Sequence, residues 1–135
     1  MTNLISNPKT QFLLGAGLDV LHHESTEWLE NIAFWKDEAK FFDKLLNQKY
    51  PTEENKYVYL NMLEMLRKIH GDFINQLEKD VRDHEGMLAK LVQNKSGQSD
   101  WDYREKHRHI SSQIKTMKNE FRAFKRIIFE YVKNL

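Results

Sequence analysis

The sequence predicts an all-α protein, an up-down-up antiparallel bundle of three long helices. Three observations predict it. Apolar residues recur at alternating steps of three and four along three separate stretches, the spacing of a helix that buries one seam against its neighbours. Glycine and proline are scarce, 5 and 2 in 135 residues, while charged residues make up 30%, a mix suited to long amphipathic helices. The breaks between stretches are short, so consecutive helices run antiparallel.

The first helix is expected over about 8–48. Asn7 reads as an N-cap and Pro8 as the first helical residue. Its stripe is Leu14, Leu18, Leu21, Ser25, Trp28, Ile32, Trp35, Ala39, Phe42 and Leu46, and it stops at Asn47-Gln48-Lys49-Tyr50-Pro51. The second is expected over about 52–94, opened by Thr52 with Glu53 and Glu54 at the positive end of the helix. Its stripe includes Leu63, Leu66, His70, Phe73, Leu77, Val81, His84, Leu88 and Leu91. Gly71 sits inside it, and a break there would give a four-helix bundle instead. A lone mid-helix glycine costs only about 1 kcal/mol, and the apolar phase continues across it. One helix is therefore expected, with a stutter where Phe73, Leu77 and Val81 fall two steps of four in a row. The third, over about 99–134, opens on Ser99 with Asp102 in a capping-box position. Its stripe runs Tyr103, His107, Ile110, Ile114, Met117, Phe121, Phe124, Ile128, Tyr131, Leu135.

At 135 residues the chain suits one domain spanning 1–135, long enough to bury a core without disulfides or a structural metal. The absence of cysteine excludes thiol catalysis and thiolate metal sites. A formal net charge of +1 supplies no overall drive toward nucleic acid or membrane. No apolar run approaches the ~20 residues of a membrane span. The opening residues lack the basic lead and long apolar core of a signal peptide, so the expected compartment is the cytoplasm. Charge is divided between helices. Residues 17–48 carry seven acids against three lysines, and 96–135 carry nine basic residues against five acids. Opposite signs favour pairing of the first and third helices, and they account for the basic third helix better than a nucleic-acid face does.

Two of the six histidines, His84 and His107, occupy seams at matching distances from the second turn, centred near residue 96. They should face each other in the core. Taking the first turn to be centred near residue 50 places Ala16, Gly17 and Leu18 opposite them. Two inward imidazoles beside that small-residue stretch, with Asp80 or Asp19 as a carboxylate, make a candidate Zn, Fe or Mn site. The competing reading is a buried polar layer, in which the rings bond each other, the Tyr103 hydroxyl or water and set register. No cofactor is expected under that reading. His70 reads as a core histidine, and His22, His23 and His109 as surface residues.

The string His22-His23-Glu24, and the His-x3-Glu spacing of His23 and Glu27, resemble hemerythrin-like cation-binding bundles, which feed a di-iron centre from several such pairs. Four residues after His70, His84, His107 and His109, however, stand Ile74, Leu88, Ser111 and Gln113. The Glu-x2-His pairs of ferritin-like bundles do not occur either. Neither family is assigned.

Phe34, Phe41 and Leu45 lie off the first seam, and Ile127, Phe129 and Val132 lie off the third. A three-helix core of this size cannot cover Phe34, Phe41 and Phe129 together, unless Leu4, Ile5 and Phe12 fold back over the first helix. Aromatic clusters of this kind favour interfaces. There is no glycine-rich phosphate loop, no nucleophile elbow and no inward carboxylate pair. Ser25 reads as a small residue accommodating a bulky neighbour. The expected function is non-enzymatic: association with a protein partner, or as a homodimer, through Phe34, Phe41, Leu45 and Phe129.

Overall fold

In a computed structural model, which describes residues 17–49, 51–93 and 100–134, the described residues form three helical rods running up-down-up. Helix α1 spans Leu18–Gln48. Helix α2 is an α-helix over Lys56–Lys68, a π-helical turn over Ile69–Ile74 and an α-helix again over Asn75–Val92. Helix α3 spans Asp100–Lys133. No helix among the described residues is long and apolar enough to cross a membrane.

Helix α1 begins after Gly17, whose backbone is extended (φ −72°, ψ 154°), with Asp19 in the first turn to complement the helix dipole. The starts expected at Asn7-Pro8 and Ser99, the segment Leu4, Ile5 and Phe12, and Leu135 all lie outside the described residues. Thr52 does not cap α2. Its hydroxyl and carbonyl accept from the Asn55 backbone N–H, at 3.3 and 3.0 Å, closing a turn that delays the helix to Lys56.

The first and third seams are buried as their spacing requires, from Leu21 to Leu46 and from Tyr103 to Ile128. The middle of α2 departs from expectation. Its buried residues are Tyr59, Met62, Leu63, Leu66, Ile69, Ile74, Leu77, Val81, His84 and Leu88. The step from Ile69 to Ile74 is five residues, one more than an α-helical seam allows, and the π turn absorbs it. Ile74 is wholly enclosed, while Phe73 is half exposed and His70 only partly covered. The expected stutter is thus an inserted residue, and His70 is not a core histidine. The wide turn holds Gly71, and the Asn75 side-chain amide donates to the Gly71 carbonyl at 3.1 Å. The rod continues without reversing, so the four-helix alternative does not arise.

Two clusters make up the core among the described residues. The larger extends from Trp28, Val81 and Ile110 to Leu46, Tyr59 and Ile128, and the smaller holds Leu21, Leu88 and Tyr103. Each fully buried Leu, Ile or Phe contributes about 1.5–3 kcal/mol relative to exposure, so the long cluster dominates stability. Ser25, His84 and His107, the buried polar residues among those described, lie between the two clusters. Ion pairs Lys36–Glu78 and Lys125–Glu38, at 2.8 and 2.9 Å, tie α1 to α2 and to α3. The second is the kind of contact that the charge division between α1 and α3 implies.

Candidate functional site

The polar layer is built from one residue or pair on each rod. His84 Nε2 lies 3.0 Å from His107 Nδ1, and His107 Nε2 lies 2.8 Å from Glu24 Oε1. Tyr103 stacks on His84 with ring centroids 4.2 Å apart and planes 3° from parallel. Trp28 covers His107 at 4.4 Å. The two imidazoles are thus clamped between aromatic rings, 1% and 0% exposed.

Proton accounting fixes their tautomers. An ionised Glu24 accepts from His107 Nε2–H, which leaves His107 Nδ1 to accept from His84 Nε2–H. His84 Nδ1 is then a bare acceptor, and it is enclosed with no hydrogen-bond partner among the described residues, as are Ser25 Oγ, Tyr103 OH and Glu85 Oε1. Burial pushes His84 down to about 4, and a proton on His107 or the Lys106 ammonium would oppose its charging further. Burial also holds His107 below its ordinary range, against the pull of the Glu24 carboxylate. Burial raises the Tyr103 phenol, with Glu85 adding to the rise and the nearby Ser25 hydroxyl, outside hydrogen-bond geometry, opposing it. Both histidines are neutral groups of the core.

The carboxylate at this layer is Glu24, not Asp80 or Asp19. Asp80 accepts from Gln76 at 3.0 Å and lines a groove with Gln113, Met117 and Glu120. Asp19 is exposed in the first turn of α1. The His22–Glu85 contact at 2.6 Å sets α1 against the end of α2, level with the early twenties rather than with 16–18. The first turn is longer than its sequence indicated and the π turn adds a residue, so α1 is displaced by nearly two turns. His84 and His107 point nitrogen to nitrogen, which uses the lone pair a metal would need from His107. Among the described residues no group of three His, Asp or Glu side chains is arranged to hold a metal. His23 and Glu27 do meet, at 3.0 Å, but as an exposed pair on one helix.

The second site is the α1–α3 face. Phe34, Phe41 and Phe129 are 54%, 57% and 54% exposed. With Asp37, Glu38 and Phe42 they line a groove of about 490 Å³. Phe42 is the hinge between surface and core, packing edge-on against both Phe41 and Phe129 at 5.4 Å. Leu45 is half-buried against the core and contributes less surface than its spacing implied. Further along the same face a second groove, of about 370 Å³, is lined by Glu24, Glu27, Trp28, Asn31, Ser111, Ile114, Lys115 and Lys118. Ile127 is exposed, whereas Val132 and Tyr131 pack partly against the core.

Comparison of the chain with protein families, curated proteins and solved structures finds no match.

Proposed function

We propose that the protein acts by association with another protein chain, through the α1–α3 face, and not by catalysis. The observation that carries the reading is the exposure of Phe34, Phe41 and Phe129 around one groove, above a seam that is already closed beneath them. Three half-exposed phenylalanines within one groove form a contiguous apolar patch of the kind interfaces use. The polar layer serves a different purpose in this reading. It sets the register of the rods at some expense of stability, as buried polar groups do in coiled coils. The cysteine-free composition suits a cytoplasmic protein, and that is the compartment we propose.

A photo-reactive phenylalanine analogue at position 41 tests the reading in cells that express the protein. A discrete adduct is expected from position 41 and none from the same analogue at Lys79, exposed on α2. Equal labelling from both positions, or none from either, overturns it.

A further inference from the structure

Both rods of the α1–α3 face carry a second stripe beside the buried seam. On α1 it reads Glu24, Glu27, Asn31, Phe34, Glu38, Phe41, Leu45; on α3 it reads Ser111, Lys115, Lys118, Arg122, Lys125, Phe129, Val132. Each advances by alternating threes and fours, so each holds one edge of the groove along several turns. The grooves confirm the placement, since Glu27 and Asn31 line one with Lys115 and Lys118, and Phe34 and Phe41 line the other with Phe129. The α1 edge is acidic, with Asp37 exposed beside it, and the α3 edge is basic. Lys115, Lys118 and Arg122 are exposed and form no ion pair among the described residues, whereas Lys125 pairs with Glu38 across the face, Glu27 meets His23 at the surface and Glu24 meets His107, so the free part of the basic edge is the stretch from Lys115 to Arg122.

We infer that the occupant of this face is a second copy of the same chain, related by a twofold axis parallel to the helices. Charge selects both the partner and the axis. An axis across the helices would set α1 antiparallel on α1 and α3 antiparallel on α3, so that rods of like net charge face each other and equal heights no longer meet. An axis along them sets α1 of one copy on α3 of the other, at equal height, and every edge then meets its opposite. Heights follow from two contacts within the chain: Glu38 with Lys125 at 2.9 Å and Phe42 with Phe129 at 5.4 Å. Continued along the rods, their shared offset of 87 residues puts Glu27 within one residue's rise of Lys115, Phe34 of Arg122, and Phe41 of Phe129 in the other copy. Acid meets base at one end of the face and aromatic meets aromatic at the other, an isologous contact. The inference rests on the association proposed above and names its partner.

A charge-swap experiment tests it by sedimentation equilibrium. One variant reverses the α1 edge (Glu27→Lys with Asp37→Lys), and the other reverses the α3 edge (Lys115→Glu, Lys118→Glu, Arg122→Glu). All five positions are exposed, and circular dichroism checks that each variant remains helical. The wild type is expected to have twice the mass of one chain. Each variant alone should dimerise on the order of 100-fold more weakly, and an equimolar mixture should recover the dimer, because both of its edges are complementary again. A mixture no tighter than either variant alone overturns the twofold pairing. A wild type that stays monomeric at 100-µM-order concentration (~10⁻⁴ M, a weak dimer by any standard) overturns the second copy as partner. The adduct at position 41 then separates the two failures: mass added by a different protein leaves the association standing, and no adduct removes both.

Discussion

His84 Nε2 and His107 Nδ1 meet at 3.0 Å inside the core, on two different rods, with neither ring reaching solvent. The contact divides the core into a long cluster and a short one, and it gives the bundle a titratable joint.

Acid should weaken the fold through that joint. An unfolded histidine takes its proton near 6.5, while His84 in the fold does so only at about 4. Between those values the unfolded chain binds more protons than the folded one, so stability is whole above pH 6.5 and falls as pH drops toward 4. The loss is on the order of 3 kcal/mol. Urea denaturation at pH 7, 5.5 and 4.5 reads it directly, and a flat profile across that range would contradict it.

Removing one member of the pair should be worse than removing both. His107→Ala leaves a cavity and strands the His84 N–H in the core, a loss of about 2–4 kcal/mol. The double variant His84→Leu, His107→Leu is expected to be neutral or stabilising and to lose the acid dependence. A double variant weaker than the single one, measured by denaturant midpoint, contradicts this account of the layer.

The π turn makes Phe73 and Ile74 unequal neighbours. Ile74→Ala should cost about 2–4 kcal/mol because that side chain is enclosed, and Phe73→Ala should stay within about 0.5 kcal/mol. Reversed costs in thermal or chemical unfolding would mean that the seam crosses this region without the extra residue.

Gly71→Ala should stabilise the protein by about 0.5–1 kcal/mol. A methyl group there meets nothing within 4 Å, and alanine narrows the unfolded ensemble. A lower denaturation midpoint for this variant would show that the π turn requires glycine.

On the α1–α3 face, Phe41→Ser should leave stability within about 0.5 kcal/mol and weaken association, whereas Phe42→Ala should cost about 3–5 kcal/mol. Unfolding curves and sedimentation together separate the two roles. Association unchanged by Phe41→Ser would remove the aromatic groove from the interface.

The sequence was most legible where one seam ran without interruption. Tyr103 to Ile128 keeps strict threes and fours, and those residues are buried as spacing requires. The facing of His84 and His107 was readable for the same reason, since a hairpin sets heights from its centre alone. The π turn left a trace that spacing could have revealed. Counting forward from Tyr59 in steps of three and four arrives at Phe73, and counting back from His84 arrives at Ile74. That one-residue conflict marks an insertion. Glu24 was harder to find, because its position opposite His107 depends on the length of a turn and on the π insertion, neither of which periodicity measures.

Local spacing and composition by themselves determined the fold class, the three rods, the seams of α1 and α3 and the histidine pairing, because helix formation and burial act on neighbours three and four residues apart. Tertiary structure decided how far α1 slides along α2, which carboxylate reaches the imidazoles, which of Phe73 and Ile74 turns inward, and how acidic and basic edges come to flank one aromatic groove. Those outcomes depend on small offsets in turn length and helical winding that add up along a rod. A shift of one residue, about 1.5 Å in rise and 100° in direction, replaces one set of facing side chains with another.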